Sequence, residues 1–557
     1  MADYSELLRT LLARRGLTHG DDMAAFLAPD YVRDTHDPFL MNGMDRAVVR
    51  INSAMRDNER IAIYADFDCD GIPGAALLGD FFRKVGYENF EVYLPHRDRE
   101  GYGFHIAAID ALAARDVALI ITIDVGTKAT SAVAHAKEKG IDVIVTDHHE
   151  VSDELPSAFA ILNPKLEPYP YPDLCGAAVA FKLVQALLLD GRKRDDARYT
   201  NIPEGWEKWL LDMVAIATIA DMVPLLGENR ALAYWGLEVL RKSPRPGIIA
   251  LCEKLRLRQR ELTENDIGFS IAPRINAASR MDEPALALEL LITASRDRAS
   301  EIAAQLEKLN TKRKSIVASV VKQARKSVEA RYQKEDRVVV VGNPEWKPAL
   351  LGLAANSIMN ERGGVVCLWG RDALGNLKGS CRSDGEVSVV ELFENAGDAF
   401  IEFGGHSASG GFSVSHEKVH SLPEALCAAA ARSSKGDAKV PVLTHDFILT
   451  LSEVSSVLLK DVSQLAPFGI GNPKPVFLMS GSRVIGVKRF GKEANHVEVL
   501  LECRTTGRGM RAFDFFKSPE NFSVVPAPGV AAGVLATIER DTFRGGLALR
   551  IVDVISA

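Results

Sequence analysis

At 557 residues the chain exceeds what one hydrophobic core organises, and length alone implies about three or four domains. Its 47% apolar and 25% charged residues are those of a globular protein, and no apolar run approaches the roughly 20 residues that span a bilayer. A net charge of −7 supplies no global attraction to nucleic acid, so any grip on a phosphate backbone must come from local basic surface or bound cations.

Met1 to Arg15 carries Glu6 and Arg9 and no apolar stretch followed by a cleavage site, so no secretory signal is expected and the expected location is the cytoplasm. Residues 1–55 read as a helical lead-in. From Arg60 onward, apolar strands at Ile61 to Ala65, Phe90 to Leu94, Ala118 to Ile123 and Asp142 to Thr146 alternate with helix-like stretches, the pattern of βαβ units and a parallel sheet. Three of them run straight into polar tips: Asp66, Asp124, and Asp147 with His148 and His149. Ligands of open α/β sheets bind at the carboxyl ends of strands, so these tips can converge. The polar stretch Gly191 to Lys208 is the expected mobile piece, and Trp209 to Ala220 reads as a buried helix closing on a fourth carboxylate, Asp221.

A long charged helix follows from about Asp297 to Tyr332, with Ile302, Leu306, Ile316, Val320 and Val321 on its apolar positions, as expected of a connection between domains. A second α/β unit begins near Arg337 and holds two glycine-rich segments, GSCRS (379–383) and FGGHSASGG (403–411). From about Val440 short β-rich runs divided by Gly, Pro and Asn predict a small barrel. The seven cysteines stand singly, with no CxxC pair for zinc or redox chemistry.

Asp66-Phe67-Asp68-Cys69-Asp70-Gly71 starts like an EF-hand loop, but position twelve is Leu77 rather than Glu and a strand precedes it. A solvated acidic turn is the competing reading, although three carboxylates in five residues repel one another unless a cation compensates them. The Asp147-His148-His149 tip could likewise be a polar loop. Together, the tips offer oxygen-rich ligation with one or two imidazoles, which favours Mn²⁺ or Mg²⁺ and hydrolytic chemistry. Asp70, preceding Gly71, is read as favouring the N-terminus of the following helix.

The segments DFDCDG, TIDVG (122–126), TDHH (146–149) and IATIAD (216–221), in this order, resemble the four motifs of the DHH phosphoesterase superfamily. FLAPDYVRDTHDPFLMNGMDRAVVRI (26–51), PHRDREGYG (95–103), LCGAAVAFKL (174–183), APRINAASRM (272–281), GSCRS, FGGH and LAPFGIGNPKPVF (465–477) narrow the resemblance to the RecJ exonucleases, from about residue 5 to the end. It implies a DHH catalytic domain (56–225), a helical region with the long connecting helix (226–335), a smaller α/β DHHA1 substrate-binding domain (336–435) and an OB-like nucleic-acid-binding β-barrel (440–557). It also implies that Asp66, Asp68, Asp124, His148 and Asp221 ligate two divalent cations, Mn²⁺ or Mg²⁺, with Asp124 bridging. His149 would touch substrate or orient a ligand, and Asp147 would support from behind. Some DHH enzymes carry another histidine just upstream of the first motif, where this chain has Ala62 and Tyr64, so one cation would be held more weakly.

Arg97, Arg280, Ser380, Arg382 and His406 match positions that gather around substrate phosphates in such enzymes, and arginine suits bidentate phosphate binding. Each could otherwise be ordinary surface. Basic clusters at Arg241, Lys242, Arg245, Lys254, Arg256, Arg258 and Arg260 and along the long helix are DNA contacts or solvated faces, and Lys488, Arg489, Phe490 and Phe513 are candidate strand contacts on the barrel. The implied activity is metal-dependent 5′-to-3′ degradation of single-stranded DNA to 5′-mononucleotides in repair and recombination. A monomer meeting single-strand-binding protein and a repair helicase, with no membrane, completes the expectation. The alternatives are a DHH phosphodiesterase of short RNA or cyclic dinucleotides, and a catalytically silent DHH replication scaffold.

Overall fold

Strands buried on both faces carry unbroken apolar runs rather than alternation, and the tracts around Ile61, Ile120 and Val143 form one such sheet. The computed structural model describes residues 4–281, 283–433, 444–491, 494–541 and 544–556. Strands β1 (Arg60–Ala65), β2 (Phe90–Tyr93), β3 (Val117–Ile123), β4 (Asp142–Thr146) and β5 (Ala160–Leu162) are all parallel, in the order β2-β1-β3-β4-β5. The order reverses between β1 and β3, which is where sheets of this kind open a crevice. The helices Gly71–Lys84 and Gly176–Lys193 pack on each other and on β3. At Gly74 a Cβ would lie 2.6 Å from Ile123 Cγ2 and 3.2 Å from Ala177 Cα, so this close packing needs glycine.

The stretch Gly191 to Lys208 is structured rather than mobile. Tyr199 is wholly buried, its ring covers Gly191 and its hydroxyl donates to Asn52 Oδ1. One buried aromatic outweighs the polar residues around it. Beyond it, the helix Leu211–Ala220 is buried as expected and Asp221 is its C-cap.

The second sheet holds β6 (Val338–Gly342), β7 (Val365–Arg371), β8 (Leu377–Ser383), β9 (Glu402–His406) and β10 (Ser409–Val414), ordered β6-β7-β8-β10-β9, with only β6 and β7 parallel. The FGGH segment is therefore part of an edge strand rather than a turn. The 36-residue helix Arg296–Arg331 joins the two lobes. Its first half packs on the helices Pro246–Leu255, Ala272–Arg280 and Pro284–Ile292, while Val320, Val321, Ala324 and Val328 enter the core under β6 and β7.

Contacts divide the chain into two compact units. The lobes above form one, His36–Val223 with Trp235–Val440; Met1–Thr35, Pro224–Tyr234 and Pro441–Ala557 form the other. The helical lead-in 1–55 is thus split at Thr35. Leu7, Leu8, Leu11 and Leu12 enter the barrel's core, whereas the helix Met44–Arg56 packs on Gly176–Lys193 and β5. The boundary expected at 435–440 lies outside the described residues.

In the second unit, β12 (Phe477–Phe490), β13 (His496–Cys503), β14 (Gly509–Asp514), β16 (Leu547–Ser556) and β15 (Ala531–Arg540) close into a ring, and β11 (Phe447–Thr450) adds parallel to β12. Closure removes sheet edges, the OB-type solution. The LAPFGIGNPKPVF segment serves this unit structurally. Asn472 Nδ2 donates to the carbonyls of Leu465 and Pro467, both at 2.8 Å, and Arg230 donates to Phe26, Leu465 and Ala466 carbonyls, each at 3.0 Å. Among the described residues no helix is long and apolar enough to cross a membrane.

Candidate metal centre and phosphate pocket

Each strand of the first sheet that ends in an acidic residue delivers it to the same crevice. Asp66 follows β1, Asp124 follows β3, the Asp147-His148-His149 tip follows β4, and Asp221 arrives from the end of Leu211–Ala220. Three overlapping groups have donor atoms within 4.8 Å of one another: Asp66, Asp68 and Asp124; Asp124, His148 and His149; Asp70, His148 and Asp221. All five residues expected as ligands are therefore brought together, and Asp124 belongs to two groups. His148 Nε2 lies 3.2 Å from Asp124 Oδ1 and 3.6 Å from Asp221 Oδ2. Donors sharing a small octahedral cation stand about 3 Å apart.

Burial and neighbouring carboxylates push Asp66, Asp124 and Asp221 well above the ordinary carboxylate range. Burial, reinforced by His149, lowers His148 to about 3, so its imidazole is neutral and free to ligate. Asp66 Oδ1 and Asp124 Oδ1 are buried with no hydrogen-bond partner. Such atoms are costly, and divalent cations relieve both the orphaned oxygens and the repulsion. The donor set fits Mn²⁺ or Mg²⁺.

Asp70 departs from its expected role. Asp68 Oδ1 accepts from the Asp70 and Gly71 amides, at 2.8 and 3.3 Å, and so holds the start of Gly71–Lys84. Asp70 instead reaches across to a second helix, accepting from Gly176 N at 2.6 Å and Ala177 N at 2.7 Å. Burial and Asp68 raise it to about 6 against these amides, and its Oδ2 lies 3.6 Å from His148 Nε2. Gly71 and Gly176 permit the approach. A Cβ at Gly71 would lie 2.3 Å from the Asp66 carbonyl oxygen, and one at Gly176 would lie 2.6 Å from Asp124 Cβ.

Behind the cluster, Asp147 Oδ1 accepts from His149 Nδ1 at 2.7 Å, and Oδ2 from Thr127 N at 2.8 Å. Burial favours the neutral forms of both, but their mutual hydrogen bond outweighs it, so Asp147 is held well below and His149 above its usual range. Two neighbours carry no metal-ligand signature in sequence. Tyr102, within PHRDREGYG, places its hydroxyl 3.2 Å from both the Asp124 carbonyl and His149 Nδ1, and Asn163 donates to the His149 carbonyl at 3.0 Å. Ala62 and Tyr64, just upstream of the first motif, are buried, and Tyr64 donates to the Gly103 carbonyl at 2.8 Å.

The residues expected to hold phosphate begin beside the cluster, where Arg97 is within reach of the charges of Asp66 and Asp68. Arg97 sits 4.7 Å over the Phe67 ring, and Arg280 Nη1 donates to the Ala349 carbonyl at 2.7 Å. Ser380 and Arg382 alternate on one face of β8, where a Cβ at Gly352 would come within 2.7 Å of Arg382 Nη2. His406 ends β9, exposed, and is held below its usual range by burial and by His149 and Lys165. Several basic candidates drop out as free cations, Arg241 and Lys242 on Glu238 and Arg258 on Glu261 among them. Arg245 is buried between Asp80 at 2.6 Å and Asp212 at 2.8 Å, and Arg325 pairs with Glu361 at 2.6 Å.

The raised carboxylates give the metal-free protein a defined pH dependence. With folded pKa values above the unfolded ones, these groups stabilise the fold below the unfolded value, and that contribution is lost as pH rises through the folded value. Mn²⁺ competes with those protons. The Mn²⁺-induced rise in melting temperature should therefore be larger at pH 8 than at pH 6 by thermal denaturation, and an equal or smaller rise at pH 8 contradicts the proposed origin of the shifts.

Residues 60–218 match the DHH family, N-terminal domain, 335–432 the DHHA1 domain and 445–553 the RecJ OB domain. The single-stranded-DNA-specific exonuclease RecJ of Bacillus subtilis is 32% identical over 529 residues, 94% of this chain, and this chain spans 65% of that protein's length. The Haemophilus influenzae protein of the same name is 31% identical over 528 residues, covering 93% of this chain and 91% of that protein. A crystal structure of RecJ in complex with Mn²⁺ from Thermus thermophilus shares the fold, with a TM-score of 0.81 at 24% identity over 100% of this chain and 76% of that one. Carrying the three domain types in order and aligning with such relatives over nine-tenths of its length, this chain belongs to the RecJ exonuclease family.

Proposed function

We propose that the chain is a metal-dependent exonuclease that shortens single-stranded DNA from its 5′ end, releasing 5′-mononucleotides in repair and recombination. The observation that carries this reading is a crevice in which orphaned carboxylate oxygens stand close to arginines suited to phosphate. Asp66, Asp68, Asp124, His148 and Asp221 hold two divalent cations, Mn²⁺ or Mg²⁺, and Asp70 orients that set from the helix start. Bound there, the cations supply a water nucleophile at neutral pH and stabilise the leaving 3′ oxygen. His149, oriented by its hydrogen bond to Asp147, touches the substrate phosphate or orients a ligand. Arg97, Arg280, Ser380, Arg382 and His406 seat the terminal phosphate and so set the polarity. A silent scaffold has no use for the retained ligand set.

The same reading assigns catalysis to residues 56–225, the helical connection to 226–335, substrate binding to 336–435 and strand binding to the barrel, 440–557. Its aromatics support the last assignment. Phe490, Phe513 and Phe515 meet edge to face, Arg550 lies 4.4 Å over Phe515, and Phe516 is 81% exposed, a surface on which bases can stack. Lys488 remains exposed, whereas Arg489 is engaged by Glu520 at 2.7 Å. The chain acts as a monomer in the cytoplasm, alongside single-strand-binding protein, which coats the substrate, and a repair helicase, which exposes it.

Digestion of end-labelled single-stranded DNA, duplex DNA and RNA with Mn²⁺ tests the proposal. Mononucleotides should be released from the 5′ end of single-stranded DNA. Attack from the 3′ end, equal digestion of blunt duplex, or cleavage confined to dinucleotides refutes it.

A further inference from the structure

We propose that Met222 is a nucleobase contact: its side chain packs against a base of the two nucleotides that flank the scissile phosphate. The inference rests on the exonuclease reading above and deepens it.

Met222 follows Asp221, the C-cap of the helix Leu211–Ala220 and one of the expected metal ligands. Its φ is 63, so it holds the left-handed position that commonly ends a helix. Glycine is usual there, and Asn comes next, because a Cβ crowds the following carbonyl. Elsewhere in the chain Asn58, Asp116, Asp124 and Asp195, all of tolerated kinds, take this conformation.

Packing does not account for the methionine. The helix ahead of it is buried from Leu211 to Thr218, yet Met222 is 65% exposed. An apolar side chain on disfavoured backbone and in solvent adds nothing to the core, and glycine would serve the fold better. Residues held in sparsely populated backbone regions cluster at functional sites. Phe516 of the barrel has the same combination, with φ 56 and 81% exposure, on the surface assigned above to base stacking.

The location identifies the ligand. Asp221 Oδ2 lies 3.6 Å from His148 Nε2 within one ligand group, and the next Cα along the chain is only about 3.8 Å from that of Asp221. Met222 is therefore held beside any phosphate that the cations engage. Of the groups attached to such a phosphate, only a base offers a broad apolar face. A thioether is apolar, polarizable and adaptable, and it makes favourable contacts with aromatic rings without reading their edges. That suits removal of every nucleotide in turn, whereas a hydrogen-bonding side chain would select among bases.

The test compares wild type, Met222→Gly and Met222→Leu in Mn²⁺ on a single-stranded oligonucleotide and on copies abasic at the first or the second nucleotide. Met222→Gly should raise KM on the intact strand roughly two- to tenfold, the span of a thioether–ring contact, with kcat little changed. On one of the abasic strands it should equal wild type, and Met222→Leu should follow wild type on all three. Without DNA, Met222→Gly should melt no lower than wild type, because the substitution relieves the backbone. A lower melting temperature, an unchanged KM on the intact strand, or the same loss on all three strands overturns the assignment. If wild type releases no nucleotides, the exonuclease reading falls, and binding of the same three strands by wild type and Met222→Gly then decides the role of Met222.

Discussion

Asp124→Asn should abolish Mn²⁺-dependent nucleotide release and, in the same preparation under chelation, melt at a higher temperature than wild type. Asp124 sits at φ 61, in the left-handed region where Asn is tolerated, so the backbone turn survives the change. The substitution removes a charge shared by two of the three overlapping ligand groups. Losing cation-based stabilisation of about 4 kcal/mol or more slows hydrolysis roughly 10³-fold. Stability moves the opposite way, because ionising wild-type Asp124 is opposed by burial and by four neighbouring aspartates, Asp70, Asp68, Asp66 and Asp221. Its contribution falls as pH rises through the raised folded pKa, so the variant's advantage should grow from pH 6 to pH 8. Near wild-type rates with Mn²⁺ would remove Asp124 from the reaction, and a lower melting temperature at pH 8 would remove the repulsion argument.

Gly176→Ala should damage stability and turnover together. The added methyl carbon would stand 2.6, 2.9 and 3.1 Å from Asp124 Cβ, Cα and Cγ. None of these atoms can swing away, since Asp124 N is bonded to the Thr146 carbonyl at 2.9 Å and the Gly176 amide is bonded to Asp70. The helix must back off, carrying with it the two amides that hold Asp70. Overpacking of this kind costs about 1–3 kcal/mol, and a shift of about 1 Å at a reacting centre costs roughly 10²-fold in rate. Melting temperature, Mn²⁺ affinity and kcat should all fall, and wild-type turnover in a stable variant would show that the close approach is dispensable.

The metal centre was legible wherever a buried strand terminated in charge. Asp66, Asp124 and the Asp147-His148-His149 tip stand out because apolar residues precede each of them, and parallel pairing then forces the tips to one edge. Asp221 was legible for the same reason at the end of a buried helix. Asp70 was not, because its partners, Gly176 and Ala177, lie more than a hundred residues away and present only backbone amides. Tyr102 was hidden by bonding through a backbone carbonyl and an imidazole already committed to Asp147. Burial separates the arginines: Arg245 and Arg313 look alike in sequence, yet one is neutralised by two aspartates, while the other buries an Nε with no hydrogen-bond partner among the described residues. The split at Thr35 escaped because an amphipathic helix advertises an apolar face without naming what covers it.

The unbroken helix Arg296–Arg331 makes the distance between the lobes a matter of screw geometry. Loops elsewhere can gain or lose residues at little expense, but one residue inserted between Arg313 and Val320 would advance the far lobe by about 1.5 Å and rotate it by about 100°. β8 would then present Ser380 and Arg382 to solvent. Insertions here that keep the lobes in register should therefore come in near-integral turns.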